Sequence, residues 1–281
     1  MNIINAIINL VNNPVIHLVD YYQNRNRANS AGDALEGYVK DLFANSFNLT
    51  EEKRLEKISS VFSYLGNNSN PPDAMLRNGD AIEVKKIETD NISLALNSSY
   101  PKHTVLASDP MISNSCRAAE EWTEKDIIYI VGVVDKYTNN LKHLCMVYGL
   151  DYCASDECYS RIKTIIKSGV EAIPGIEFTE SRELGHINKV DPLGITYMRV
   201  RGMWGIENPW NAFNYVYTRD TSKSFNFMCI INDKKWNTFD NINELVALSN
   251  SNPSLSIKDV KIKNPDNPAQ LNNAKLISFS I

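Results

Sequence analysis

The stretch from Asn70 to Glu88, NPPDAMLRNGDAIEVKKIE, constrains the fold of this chain more than any other. Asn78-Gly79 is the strongest short-range signal for a two-residue hairpin turn, in which both central positions take φ > 0. Ala74, Met75 and Leu76 precede it, and Ile82, Val84 and Ile87 follow, so two strands are expected to pair across it. Side chains alternate along a strand, which sends Ile82 and Val84 to the core and Glu83 and Lys85 to the other face. A two-residue turn sets Asp73 opposite Val84, beside both polar residues. Two carboxylates and an ammonium then converge on one edge of a small sheet. Two hard oxygen ligands with room for water suit Mg²⁺, which keeps part of its hydration shell and takes a substrate phosphate. A lysine two residues on can hold an attacking water or offset charge developing on phosphorus. Asp, Glu and Lys are also common on solvated hairpins, so the spacing alone leaves a second reading open, a charged outer face.

The chain has 281 residues and 43% apolar content, enough for one large domain or a core with an elaborated second lobe. A formal net charge of −4 argues against a protein that coats nucleic acid without regard to sequence. An enzyme with an acidic metal site can carry that balance if its basic residues are gathered in one cleft. Cys116, Cys145, Cys153, Cys158 and Cys229 show no framework spacing, so reduced thiols in a cytoplasmic protein are expected. His143 and Cys145 with Cys153 and Cys158 could be drawn as a zinc site. They include no C-x-x-C, and the first pair sits in an apolar strand, so buried structural thiols are the favoured reading. The opening run Ile3 to Val11 is too short and too rich in Asn to span a membrane and has no basic region before it. Neither a targeting segment nor a membrane partner is expected.

Along the chain, residues 2–12 read as an amphipathic helix stopped by Asn12-Asn13-Pro14, with a second helix from Val15 to about Arg25. Ser30 or Gly32 opens a firm helix with Leu35, Val39, Leu42 and Phe43 as its apolar stripe and Glu36 on its flank. Ile58 to Leu65 reads as a strand leading into the hairpin. Leu94 to Ala107 reads as a polar loop, Ser115 to Trp122 as a short crossover helix, and Asp126 to Val134 as a strand buried on both faces. Leu141 to Tyr148 reads as the next strand, and Asp156 to Ser168 as a helix ended by Gly169. A strand from Gly194 to Arg201 would put Arg199 and Arg201 on one face. Strands near Tyr215 and Ile230, a helix from Asn241 to Leu248 and two terminal strands complete the reading. The division expected is an N-terminal helical segment (1–29), a core (30–170), and further elements (171–281) of the same domain. The fold class is α/β (α+β): a mixed central sheet flanked by helices, with β-rich elements added at the C-terminal end.

The pattern Pro72-Asp73, then Glu83-x-Lys85, resembles the PD-(D/E)xK nuclease signature. Longer blocks resemble the NgoPII-like type II restriction endonucleases. They are Gly32 to Phe43, Phe62 to Asn67, the hairpin, Leu96 to Lys102, Val190 to Tyr197 and Arg199 to Trp204. The resemblance covers roughly residues 30 to 212, and several blocks in one order are far more specific than the catalytic pattern. It implies a PD-(D/E)xK core, Mg²⁺-dependent cleavage of double-stranded DNA and recognition of the palindrome GGCC. By position, the family's metal-binding acids fall on Asp73 and Glu83 and its lysine on Lys85, and Glu36 matches an acid that related nucleases bring to the site. Asp73, Glu83 and the Val84 carbonyl would then hold Mg²⁺, with Lys85 near the incoming water, leaving a 5′-phosphate and a 3′-hydroxyl. A palindrome has two-fold symmetry, so a homodimer is the economical arrangement. Arg199 and Arg201 are candidate guanine readers through the acceptor pair O6 and N7, while Asn97, Ser98, Ser99, Lys102 and Arg182 are candidates for positioning the DNA backbone. A structure-selective nuclease of the same core, or a DNA-binding regulator that never cuts, are the competing expectations.

Overall fold

In the computed structural model, residues 1–25, 27–67, 70–181 and 183–281 are described. Four helices come first: α1 (Ile3–Asn12), α2 (Leu18–Gln23), α3 (Ala31–Ala44) and α4 (Glu51–Val61). Strands β1 (Phe62–Asn67), β2 (Asn70–Leu76) and β3 (Ala81–Ile87) follow, then the short β4 (Leu94–Asn97), β5 (Thr104–Leu106) and α5 (Asn114–Arg117). Next are β6 (Glu124–Val134), β7 (Leu141–Tyr148), α6 (Gly149–Tyr152) and α7 (Asp156–Glu171). Short elements succeed them: β8 (Glu177–Phe178), β9 (Gly185–Asn188), β10 (Met198–Val200), β11 (Trp204–Ile206) and α8 (Pro209–Ala212). The chain closes with β12 (Asn226–Asn232), α9 (Asp233–Trp236), α10 (Ile242–Ser251), β13 (Leu255–Lys263) and β14 (Leu271–Ser280).

The main sheet runs β1-β2-β3-β6-β7-β12-β14-β13 and is mixed, with β3 parallel to β6 and β12 parallel to β7. Its period-two alternation builds two cores. Ile82, Ile128, Ile130, Leu144 and Met146 meet α1, α2 and α3 on one face. Ala81, Tyr129, Val131, Cys145 and Val147 meet Trp210, Phe213 and Tyr217 on the other. Both faces of β6 are therefore covered, which is why its sequence is a continuous apolar run. Burying one such Ile or Val contributes about 1.5–3 kcal/mol. Local chemistry fixes the helix ends: Asn2 and Asn5 form a reciprocal capping box on α1, and Ser30 accepts from the Asp33 N–H to start α3. A left-handed Asn45 (φ 50°) ends α3.

Beside this body, α7 has no buried residue along its 16-residue length. The small sheet β10-β9-β8 packs against it. Gly185 of β9 permits the approach, because a Cβ there would meet Val170 Cγ1 at 2.8 Å.

Several expectations need correction. The hairpin forms, but its loop is Arg77-Asn78-Gly79, closed by Gly79 N–H to Leu76 O and by Leu76 N–H to Asp80 O. Asn78 takes positive φ (52°) and Gly79 does not, so the register is Ala74↔Ile82. Continued along the strands, it sets Asp73 across from Glu83 rather than Val84. Ile58 to Val61 is the end of α4, not the start of a strand: Glu51 and Glu52 favour its N-terminus, and Arg54, Ile58 and Val61 are buried at helical spacing. The helix expected over Ser115 to Trp122 is the single turn α5, and α7 runs through Gly169 to Glu171. Only Met198–Val200 of the strand expected from Gly194 is extended, and no described strand lies near Tyr215. Two short strands, β4 and β5, interrupt the expected loop from Leu94 to Ala107. Cys116, Cys145, Cys153 and Cys229 are buried free thiols and Cys158 is exposed. No described helix is long and apolar enough to cross a membrane.

Candidate active site

β2 and β3 bring Asp73, Glu83 and Lys85 to one cleft of about 300 Å³. Asp73 Oδ2 accepts the Val84 N–H at 2.7 Å, so the carboxylate stands where a ladder partner would otherwise be. Lys85 Nζ donates to Glu83 Oε1 at 2.6 Å. The second oxygen, Glu83 Oε2, is buried without a hydrogen-bond partner. A buried carboxylate oxygen left bare costs about 1–3 kcal/mol or more, so something other than protein is expected to meet it.

The electrostatics point the same way. Burial, and next the neighbouring charge of Glu83, push the Asp73 carboxyl up to about 6. Burial works against the charge on Lys85, but Glu83 and Asp73 outweigh it and hold the ammonium above its ordinary range. Two adjacent carboxylates, one resisting ionisation and one with an unpartnered oxygen, form a site that a hard divalent cation would relieve. Among the described residues, no three His, Cys, Asp or Glu side chains lie close enough to share one ion. Glu36 therefore does not join the pair. It lies on α3 with Lys40 Nζ 3.5 Å away, near enough for its charge to act on Lys85.

The other expected residues divide. Asn97, Ser98, Ser99 and Lys102 line the same cleft as the acids. Lys102 is turned inward: its Nζ donates to Asp109 at 2.6 Å and lies 3.8 Å from the Tyr100 ring centroid, with the side chain only 5% exposed. It holds the loop together rather than presenting a cation to solvent. Arg199 and Arg201 converge on Glu183. Arg199 makes a two-pronged contact (Nε to Oε2 2.7 Å, Nη2 to Oε1 2.6 Å), and Arg201 gives Nε to Oε1 at 2.6 Å. Arg182 lies outside the described residues.

Sequence reasoning did not find Tyr100, Met111 and Tyr129, which also line the cleft. Tyr129 was hidden in the apolar run of β6. Its hydroxyl accepts the Lys102 N–H at 2.7 Å, which ties the loop to the sheet.

The model of the NgoPII restriction endonuclease family matches residues 1–263. The chain belongs to that family. It is 63% identical over 281 residues to the type II restriction enzyme NgoPII of Neisseria gonorrhoeae, covering the whole of both chains. The likeness thus reaches well beyond the stretch from 30 to 212 that the sequence blocks marked. The protein is an enzyme of the site-specific endonuclease class. No solved structure matches it.

Proposed function

We propose that the protein hydrolyses double-stranded DNA in a Mg²⁺-dependent reaction at a short palindrome, GGCC, through a PD-(D/E)xK site. The observation that carries this reading is the bare, buried Glu83 Oε2 beside the Asp73 carboxyl and the Lys85 ammonium. Asp73, Glu83 and the Val84 carbonyl would hold the metal. When bound, such an ion polarises a non-bridging phosphate oxygen and lowers the pKa of water. The chain's own residues do the rest. Lys85, restrained by Glu83, faces the incoming water and offsets charge developing on phosphorus. Asn97, Ser98 and Ser99 line the wall beside the acids and position the backbone for in-line attack. The products of that chemistry are a 5′-phosphate and a 3′-hydroxyl. One cleft serves one strand, so a two-fold homodimer matches the symmetry of a palindrome.

Digestion of a plasmid of known sequence with Mg²⁺, with the ends mapped, tests the reading. Discrete fragments whose ends fall within GGCC are the expected result. Cutting at branches regardless of sequence would replace it with a structure-selective nuclease, and discrete ends at another sequence would replace the site alone.

A further inference from the structure

The catalytic cleft does not end at Lys102. Ser98 and Met111 also line two neighbouring grooves, of about 360 and 300 Å³, which lead toward α7. Lys163 of α7 lines both of them. It is half-buried, and among the described residues its side chain has no ion-pair partner. Lys167, one turn on, lies 3.7 Å from Glu171. Its stem can lie along the groove wall while the ammonium stays in the groove, placed to meet an anion that enters it.

The nearby arginines are not equivalent. Arg199 places its fork on Glu183, the geometry it would otherwise offer a phosphate or a guanine. Arg201 gives Glu183 only its Nε, which leaves both terminal amino groups available among the described residues, and it lines the second groove with Lys163. Three acids line the grooves: Asp109 is paired with Lys102, Glu183 is held by two arginines, and Asp156, in the first groove only, accepts from the Tyr100 hydroxyl at 3.4 Å. In the first groove lysines and acids balance; the positive surplus lies in the second, where Lys163 and Arg201 meet Glu183 as its one acid among the described residues.

We propose that Lys163 and the outer amino groups of Arg201 form a second DNA-backbone contact, one groove away from the Asp73–Glu83–Lys85 cleft. Arg199 is the positioning residue that keeps Glu183 from claiming Arg201 entirely. The inference rests on the proposed DNA cleavage and adds to it residues that bind without touching the scissile phosphate.

The test is equilibrium binding in Ca²⁺, between about 50 and 200 mM salt, to the duplex mapped by digestion and to a scrambled duplex. The variants are Lys163→Gln, Lys163→Arg and Arg201→Gln, with Lys261→Gln on the far edge strand β13 as control. Removal of one phosphate contact lowers the slope of log K against log salt by about 1. Lys163→Gln and Arg201→Gln should each show that loss and weaken both duplexes about tenfold at the lower salt. Lys163→Arg should restore the slope, and Lys261→Gln should not change it. An unchanged slope in Lys163→Gln while the wild type binds overturns the contact and leaves the function standing. A loss confined to the mapped duplex overturns it in favour of base reading. A wild type that binds neither duplex removes both readings together.

Discussion

Two clusters, each of two carboxylates and a lysine, meet strand β3 within a few residues of each other. At its start, Lys235 Nζ donates to Asp80 Oδ1 and to Asp126 Oδ2, each at 2.6 Å, and Tyr148 Oη donates to Asp80 Oδ2 at 2.8 Å. Further along are Asp73, Glu83 and Lys85. The charged groups are of the same kind, but the satisfaction of their polar atoms is not. In the first cluster, Lys235 binds both acids and Tyr148 takes the other Asp80 oxygen, so α9 is fastened to β3 and β6. In the second, the lysine reaches one acid, Asp73 holds its proton to about pH 6, and Glu83 Oε2 meets nothing. A closed network stabilises a fold and an open one awaits a ligand. Acid and lysine counts cannot separate the two; only the pairing does.

That comparison breaks if mutations in the two clusters act alike, and the largest effect belongs to the open one. Glu83→Gln and Lys85→Ala should each raise the barrier to cleavage by about 3–4 kcal/mol or more, about a hundredfold or more in rate, while DNA binding stays near wild type and, for Glu83→Gln, so does the melting temperature. Single-turnover rates on a defined duplex check it. Lys235→Met should do the opposite. Removing one partner of a buried pair leaves Asp80 uncompensated and costs about 3–5 kcal/mol of stability in urea unfolding, with cleavage per folded molecule retained. If Lys235→Met abolished cleavage without loss of stability, the closed network would have to be counted as part of the active site.

A smaller and pH-dependent effect sharpens the contrast. Asp73 is raised to about 6 in the folded protein against an ordinary 3.8, so between those values the folded chain holds a proton that the unfolded chain has released. Stability from this group is fully present on the acid side of the window and is lost as pH rises through about 6. A divalent cation favours the ionised carboxylate and reverses that loss. The rise in melting temperature on adding Mg²⁺ should therefore be greater near pH 8 than near pH 5, and absent in Asp73→Asn. An equal rise in Asp73→Asn would mean that the ion binds elsewhere.

How much of this the sequence could show depends on the range of the interaction. Glu83 and Lys85 were legible because strand alternation is local and β3 carries both. The placement of Asp73 came out one residue off because Asn78 alone takes positive φ, and a three-residue loop rather than a two-residue one sets the register. Buried on both faces, β6 declared itself as an apolar run, but Tyr129 inside it was indistinguishable from core. Helix α4 was passed over because charged residues fill most of its surface and three buried positions suffice to hold it. The pairing of Arg199 and Arg201 with Glu183 spans 16 and 18 residues of sequence and brings a loop against β10, which no period encodes. Lys102, a candidate for positioning the DNA backbone, is buried against Asp109, a partner only seven residues away that the turn between them delivers.

The smallest expected effect belongs to Glu36, which borders the open cluster without belonging to it. Its side chain is 38% exposed and faces Lys40 one turn on, an i,i+4 arrangement that contributes about 0.3–0.5 kcal/mol at most. It does not stand close enough to Asp73 and Glu83 to form a three-acid ion site with them among the described residues. What it can do is act at a distance on Lys85, whose ammonium it helps keep charged. Glu36→Gln should therefore slow cleavage by less than about tenfold, against the hundreds expected for Glu83→Gln, and leave the melting temperature within about a degree or two of wild type. The pH profile distinguishes this from a merely structural role. If Glu36 acts through Lys85, its loss moves the alkaline limb of cleavage to lower pH, where Lys85 gives up its proton more readily. A loss as large as that of Glu83→Gln, with the profile unmoved, would make Glu36 a ligand that the site draws in only when substrate is bound.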